Sequence, residues 1–421
     1  MNNRRSFIRQ TATMLGAFAL HQNLLEAFPL QSASLQPNLG PDEDFWRQIR
    51  AAYAASPNIT NLNNGGVSPT PRATMDALDY YNRMCSEAPS HYMWRILDAE
   101  REPLRAHLAQ LAGVSSSEIA INRNATESLN TIIFGLNLKA GDEIVLSKYD
   151  YPNMINAWKQ RAMRDGVKLV WVDLDLPSTD EQYLVRAFTE KFTDKTKLVH
   201  ITHIINWNGQ ILPAAKIADV AHARNIEVLV DAAHSFALLD YKIPDLHCDY
   251  WGTSLHKWLC APYGTGLMWI KKEKIPGIMP LLGNDKPDGD NIRKFESLGT
   301  RSFPTEMAIG YSLDLHNLIG TERKQKRLHA LKNYWMQQVK DVKGIQFYTP
   351  MDYAWGCAIG TFGLAGKKPG EIAEKLFTDY KIHSVAIEWE KVTGVRVTPN
   401  VYTMEQDLDK LVQAIHEIAI A

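Results

Sequence analysis

One pattern repeats from Glu118 to Ile270: a strand-length apolar run, a turn, then a stretch with helical spacing. The runs "EIAI" (118–121), "DEIVLS" (142–147), "VKLVWVDL" (167–174), "TKLVHITHI" (196–204) and "IEVLVD" (226–231) read as strands. Between them lie "TESLNTIIFGL" (126–136), "PNMINAWKQRAMRDG" (152–166), "TDEQYLVRAFTEKF" (179–192) and "PAAKIADVAHARN" (213–225). These read as helices: the second ends in glycine, the third opens on a Thr/Asp cap, and the fourth has proline in its first turn. "DYWGTS" (249–254) and "GTGLMWI" (264–270) supply two more strands. Strands joined by helical crossovers run parallel, and mostly apolar strands need cover on both faces. The sequence therefore predicts an α/β chain built on a mostly parallel sheet.

Upstream of that repeat, a short amphipathic helix is expected in "DEDFWRQIRAAYAA" (42–55). Turn chemistry follows in "LNNGGVSPTP" (62–71), then a helical pattern to about Leu111. After Gly299 the texture changes. A long polar helix over 306–340 precedes strands such as "CAIGTFGL" (357–364) and "GVRVT" (394–398), and "LDKLVQAIHEIA" (408–419) closes the chain as a helix. The division predicts a segment 34–71 sharing the surface of the C-terminal domain, a large domain over 72–300, and a smaller α+β domain over 301–421.

The formal net charge is −1, with no basic tail and no Lys/Arg run interleaved with aromatics, so a nucleic-acid partner is not expected. Cys85, Cys248, Cys260 and Cys357 lack metal or redox spacing and read as buried or unpaired thiols. Residues 1–33 have a different character. Arg4-Arg5 is followed by Phe7-Ile8, Arg9 and a short apolar run, with small residues near "LQSAS" (30–34). This layout resembles a twin-arginine export signal, and the run is too short to span a bilayer. A periplasmic protein exported after folding is expected, with no membrane association once the signal is removed.

Four segments bring chemically useful residues to the C-terminal ends of the strands, where open α/β sheets gather ligands. "RNATESLN" (123–130) offers N–H groups at a helix N-terminus, a place suited to phosphate. On the residues alone, Thr126 there reads first as a plain N-cap. "VLVDAAHS" (228–235) ends an apolar strand in Asp231, which needs a partner: a following turn to cap, or a cation to hold. "GTSLHKWLCAPYGTG" (252–266) sets Lys257 among Trp251, Leu255, Trp258 and Leu259. A surface lysine after a strand is the plain alternative, but those neighbours argue against full exposure. A desolvated amine gives up its proton more easily and can attack a carbonyl. Ser254 and His256, just before it, can donate to an anion. "GVRVTPN" (394–400) centres Arg396 in an apolar strand, either as a structural ion pair or as a fork for a carboxylate.

Taken in order, Asp-Ala-Ala-His at a strand end, Ser-x-His-Lys, Gly-Thr-Arg and Arg-Val-Thr-Pro resemble the class V aminotransferase family, from about Asn61 to the C-terminus. The likeness is closest to the isopenicillin N epimerase-like branch. It implies a fold-type I enzyme dependent on pyridoxal 5′-phosphate, with a mostly parallel seven-stranded sheet in the large domain. By that resemblance Lys257 bonds the cofactor's aldehyde, Asp231 pairs with its pyridine nitrogen, and Tyr151 stacks on its ring; these three form the expected catalytic set. Ala233 lies against the other face. His234 stands beside the phenolic oxygen, where many relatives have Gln. Ala125, Thr126, Ser254 and His256 match the phosphate cradle, and Asn206 matches a polar residue near the cofactor oxygen. Thr300 matches a threonine that reaches the neighbouring subunit's phosphate, which implies a homodimer. Arg396 matches the arginine for the substrate α-carboxylate, and Asn64 lies in the segment lining the substrate side. Cysteine desulfurases of the family carry a nucleophilic cysteine just before that arginine. "HSVAIEWEKVTGVR" (383–396) has none, which disfavours persulfide chemistry. The resemblance implies a small amino-acid-like substrate and chemistry at its amino group or α-carbon. Transamination is the leading outcome; epimerisation and cysteine-independent elimination are alternatives. A binding protein that had lost catalysis would have lost Lys257, Asp231 or Arg396, and all three are present.

Overall fold

The repeating unit folds into a single seven-stranded sheet. In chain order its strands are β1 (Ile119–Asn122), β2 (Glu143–Ser147), β3 (Lys168–Val172), β4 (Thr196–Thr202), β5 (Glu227–Asp231), β6 (Tyr250–Ser254) and β7 (Gly266–Ile270). They lie in the order β1-β7-β6-β5-β4-β2-β3. Neighbours from β6 through β3 pair in parallel, and β7 runs antiparallel to both β6 and β1. The computed structural model describes residues 43–420, so the signal-like residues 1–33 lie outside the described residues.

Strand alternation explains why the sheet is covered twice. In β2, Ile144 and Leu146 enter one core while Val145 enters the other. The first core also holds Leu129, Ile132 and Ile133 of helix Ala125–Gly135 and Trp158 of helix Pro152–Asp165. The second holds Leu184 and Phe188 of helix Glu181–Thr189 and Ile217 of helix Ala214–His222. Full burial of each such side chain contributes about 1.5–3 kcal/mol. Edge strand β1 is fastened by charge. Buried Glu296 accepts from Arg105 at 2.5 Å, from Arg101 at 2.9 Å and from the Ile121 N–H at 2.7 Å. The two guanidiniums hold its carboxyl below the usual range, against the upward push of burial.

Two expected helices are broken. The pattern from 72 to 111 divides into Arg72–Glu87, a short Pro89–His91 turn, a π-helical turn Tyr92–Leu97 and Asp98–Ala112. Proline at 89 drives Ala88 out of helical geometry, to φ −152°, which ends the first piece. The single helix expected over 306–340 is instead Phe303–Met307, Ile309–Ile319 and Thr321–Val339. Gly320 separates the last two at φ +83°, a conformation open to glycine.

The C-terminal part builds an antiparallel sheet from β8 (Ile345–Phe347), β9 (Gly360–Leu364), β11 (Val385–Trp389) and β12 (Val392–Val397), in the order β11-β12-β9-β8. The two-residue strand β10 (Ile382–His383) pairs in parallel with Thr60–Asn61, so the N-terminal segment joins this sheet's side of the molecule. That segment then crosses to the large sheet, where the Ser68 N–H reaches the carbonyl of His256. No helix among the described residues is long and apolar enough to cross a membrane.

Candidate active site

The ends of β4, β5 and β6 open into a cavity of about 460 Å³, closed on its far side by β11, β12 and the Gly65–Val67 turn. Asp231 is the last residue of β5, and its Oδ1 accepts the Ala233 N–H at 2.9 Å. It thus caps the following turn and also lines the cavity. Burial raises its carboxyl pKa, while the Ala233 N–H and the Lys257 charge oppose that shift. Ser254 ends β6 and accepts the Ala125 N–H at 2.9 Å, tying the strand to the N-terminus of helix Ala125–Gly135. The cap of that helix is Asn124, whose side chain accepts from the Glu127 N–H, and not Thr126. Thr126 therefore stays in the first turn and lines the cavity with Ala125. Gly266 makes this approach possible: a Cβ there would lie 2.6 Å from the Asn124 backbone.

Lys257 lies on the turn after β6 with its Nζ 3.0 Å from His234 Nε2 and 5.9 Å from the centre of the Tyr151 ring. Burial pulls its amine down to about 8; Asp231 pushes the other way, and Arg396 adds to the fall. Lys324 and Lys332 are also buried and pulled down to about 8, but they donate to the carbonyls of Trp258 and Pro350 and do not line the cavity. Position, not basicity alone, distinguishes Lys257. Burial likewise takes His256 down to about 4 and holds His234 well below its ordinary value. Both imidazoles are neutral at pH 7.

Arg396, in β12, is 7% exposed and has no carboxylate partner among the described residues. One Nη donates to the Asn206 carbonyl at 2.9 Å, the other to Asn63 Oδ1 at 3.1 Å, and Nε has no partner. Burial lowers it to about 10. A guanidinium buried this way is costly unless a ligand completes it.

Lys257, Asp231, Tyr151, Ala125, Thr126, Asn206, Ala233, His234, Ser254, His256 and Arg396 all line this one cavity. Two expected residues do not. Thr300 is exposed on the turn after Gly299, outside the cavity of its own chain. Asn64 corrects the expectation of a substrate-side residue. Its Nδ2 donates to the Thr398 and Asn61 carbonyls, and its Oδ1 accepts from Tyr402 and Asn61. Every polar atom of its amide is committed to bonds within the N-terminal segment and from it to Thr398 and Tyr402 after β12. Its neighbour Asn63 reaches Arg396 instead.

Sequence reasoning missed two groups and read a third, Trp258, only as a neighbour of Lys257. Asp150 is buried, accepts from Thr202 Oγ1 at 2.7 Å and the Ser147 N–H at 3.1 Å, and so anchors the turn that presents Tyr151. Burial pushes its carboxyl up to about 8. Trp207, in the segment after β4, and Trp389, at the end of β11, stack at 4.8 Å, and Trp207 faces the cavity beside Val385, Ala386 and Ile387. Trp258 donates to His234 from behind. The sequence signals for these were an acid directly before Tyr151 and, for Trp258, its place directly after Lys257. No cysteine lines the cavity, and all four are buried and unpaired.

The cavity suits pyridoxal 5′-phosphate by its own unmet polar atoms. Asn206 Oδ1, His256 Nδ1 and Arg396 Nε are buried without partners, and all three residues face into it. A buried amine, a strand-end carboxylate and a helix N-terminus around one cavity, on a mostly parallel sheet, define a fold-type I enzyme that uses this cofactor. The family model for class V aminotransferases matches residues 60–411, and the chain belongs to that family. It is similar to the isopenicillin N epimerase of Streptomyces clavuligerus, 27% identical over 388 residues, which cover 88% of this chain and 97% of that protein. It is also similar to a probable cysteine desulfurase of Synechocystis sp., 29% identical over 340 residues, 76% of this chain and 80% of that one. An apo cysteine desulfurase from Thermococcus onnurineus NA1 shares the fold with a TM-score of 0.77 at 21% identity, covering 90% of this chain and 98% of the other.

An amine must be unprotonated to attack an aldehyde, so capture of pyridoxal 5′-phosphate by the apoprotein depends on pH. With the Lys257 amine at about 8, the capture rate rises with pH and levels off above that value. Below it the rate falls by about tenfold per pH unit. Stopped-flow absorbance from pH 6 to 10 measures this; a profile still rising at pH 10 contradicts a desolvated Lys257.

Proposed function

We propose that the protein acts at the amino group and α-carbon of an amino acid, or of an amino acid carried on a peptide, as an amino-group transferase. One observation carries this reading: Arg396, buried and without a carboxylate partner among the described residues, faces the same cavity as Lys257. When bound, pyridoxal 5′-phosphate supplies a sink for the electron pair left at Cα as its proton departs. Asp231 supports that sink by holding a proton at the pyridine nitrogen. Arg396 grips the α-carboxylate through paired N–H···O bonds and so fixes which Cα substituent faces Lys257. Lys257, as a free amine, takes the Cα proton. Asn206 and His256 line the same cavity, where the Asn206 amide N–H2 and a protonated ring nitrogen of His256 can donate to the cofactor's oxygens. Epimerisation is the second reading, favoured by the likeness that spans 97% of an isopenicillin N epimerase. The absence of cysteine from the cavity lining supports neither desulfuration nor persulfide transfer.

Arg396→Lys keeps a charge but loses the fork. The variant is expected to retain cofactor yet raise KM by roughly thirtyfold or more, the scale of about 2–5 kcal/mol for a broken buried charge pair. Decarboxylated amines should be poor substrates of the wild type. Product analysis in D2O separates the two readings: a keto acid marks transamination, and an inverted, Cα-deuterated amino acid marks epimerisation. Loss of cofactor from Arg396→Lys, or equal turnover of decarboxylated amines, contradicts the assignment.

We further propose a periplasmic homodimer. Arg4-Arg5 and the apolar run after them support export. Thr300, exposed outside its own cavity, and the exposed side chains of Tyr80, Trp94, Ile96, Leu281 and Leu282 support a second subunit. Cell fractionation followed by sedimentation should recover a periplasmic dimer, and Arg4→Lys/Arg5→Lys should leave it in the cytoplasm. Unchanged export of that variant, or a monomer, contradicts the corresponding half.

A further inference from the structure

Lys257 and His234 meet through atoms whose roles a third residue fixes. Trp258 is fully buried, and its indole Nε1–H lies 3.4 Å from His234 Nδ1. An indole N–H can only donate, so Nδ1 must be the unprotonated, accepting nitrogen. A neutral imidazole has one proton, which then sits on Nε2. Nε2 lies 3.0 Å from Lys257 Nζ. An ammonium has no lone pair to accept that N–H, so this pair of bonds is satisfied only when Lys257 is the free amine.

We infer that Trp258 is a positioning residue that locks the His234 tautomer and thereby holds Lys257 as a hydrogen-bond acceptor ready to react. The inference rests on reading the cavity as a pyridoxal phosphate site. The other charged or titratable groups around the amine are Asp231 at the end of β5, Arg396 on β12, Tyr151 before helix Pro152–Asp165, and His256 on its own turn. None of them donates to His234 Nδ1. The neutral ring that the geometry requires agrees with the burial of His234, which keeps it far from protonation at pH 7. Without the indole donor, the ring is free to carry its proton on Nδ1. Nε2 then accepts from an ammonium, and the protonated lysine is favoured.

The test pairs a structural readout with a kinetic one. In full-length protein labelled with 15N-histidine, the ring shifts of His234 should report the Nε2–H tautomer in the wild type. Trp258→Phe, which keeps an aromatic ring and drops the donor, should give a mixed or Nδ1–H ring. In the same variant, the midpoint of pyridoxal phosphate capture by the apoprotein should move up by about one pH unit, slowing capture at pH 7 by about tenfold. A leucine at 234 neither donates to nor accepts from Lys257, whatever residue 258 is. In a His234→Leu background, Trp258→Phe should therefore leave the midpoint where it is. An Nδ1–H ring in the wild type overturns the inference, and that result does not require the variant to fold. An unmoved midpoint in Trp258→Phe, or an equal shift in both backgrounds, also overturns it. A wild-type protein that takes up no pyridoxal phosphate refutes the site reading instead, and the ring tautomer can still be read.

Discussion

The structure is arranged around the removal of one amine from water. Among the described residues Lys257 gains no carboxylate in hydrogen-bond contact to repay that cost; its direct partner is the His234 ring. Desolvation is therefore expressed as a weaker hold on its proton, the property a nucleophilic lysine needs. That state persists because everything around it is also dry. Trp251, Leu255 and Trp258 bury the turn, and β5 pairs with β6 through Asp231 and Gly252, which leaves Ser254 two residues beyond at the same end of the sheet. The sheet supplies the rigidity, and its strand ends supply the polar groups.

The second constraint is that the site draws on two sheets. Arg396 comes from the small sheet but is steered by the carbonyl of Asn206 on the large one. Asn63, from the N-terminal segment, closes the third side. The stacked Trp207 and Trp389 and the Thr361 hydroxyl bond to the Trp207 carbonyl hold the two parts in this relation. A carboxylate entering the cavity would meet a guanidinium already oriented, so little ordering remains to be done on binding. The hairpin of β11 and β12 contributes Val385, Ala386 and Ile387 as an apolar wall.

Much of this was legible in the sequence because periodic burial writes itself into composition. Apolar runs spaced by amphipathic stretches indicated the sheet, and the residues at the strand ends indicated the site. The broken helices were less legible: the patterns around Ala88 and Gly320 stay amphipathic through the break, and one backbone angle ends each helix. Asn64 was misassigned for a related reason. In "LNNGG" two adjacent asparagines are chemically identical, and only the pairing with Thr398 and Tyr402 decides which one turns inward. Asp150 and Trp207 escaped notice because each acts through a partner distant in sequence, and Trp258 was read only as a neighbour that buries Lys257 because its bond to a ring nitrogen leaves no spacing to read. The role of Thr126 was open on residues alone, since a cap and a phosphate ligand look the same until Asn124 is seen to cap the helix.

The most direct test of the account is to locate the cofactor's covalent bond. Holoprotein reduced with borohydride, digested and analysed by mass spectrometry should carry a single phosphopyridoxyl group, on Lys257. Lys324 and Lys332 are internal controls, buried and similarly weakened as bases but turned to backbone carbonyls away from the cavity. Label on either of them, or none on Lys257, would contradict the claim that this cavity and this amine are the catalytic centre.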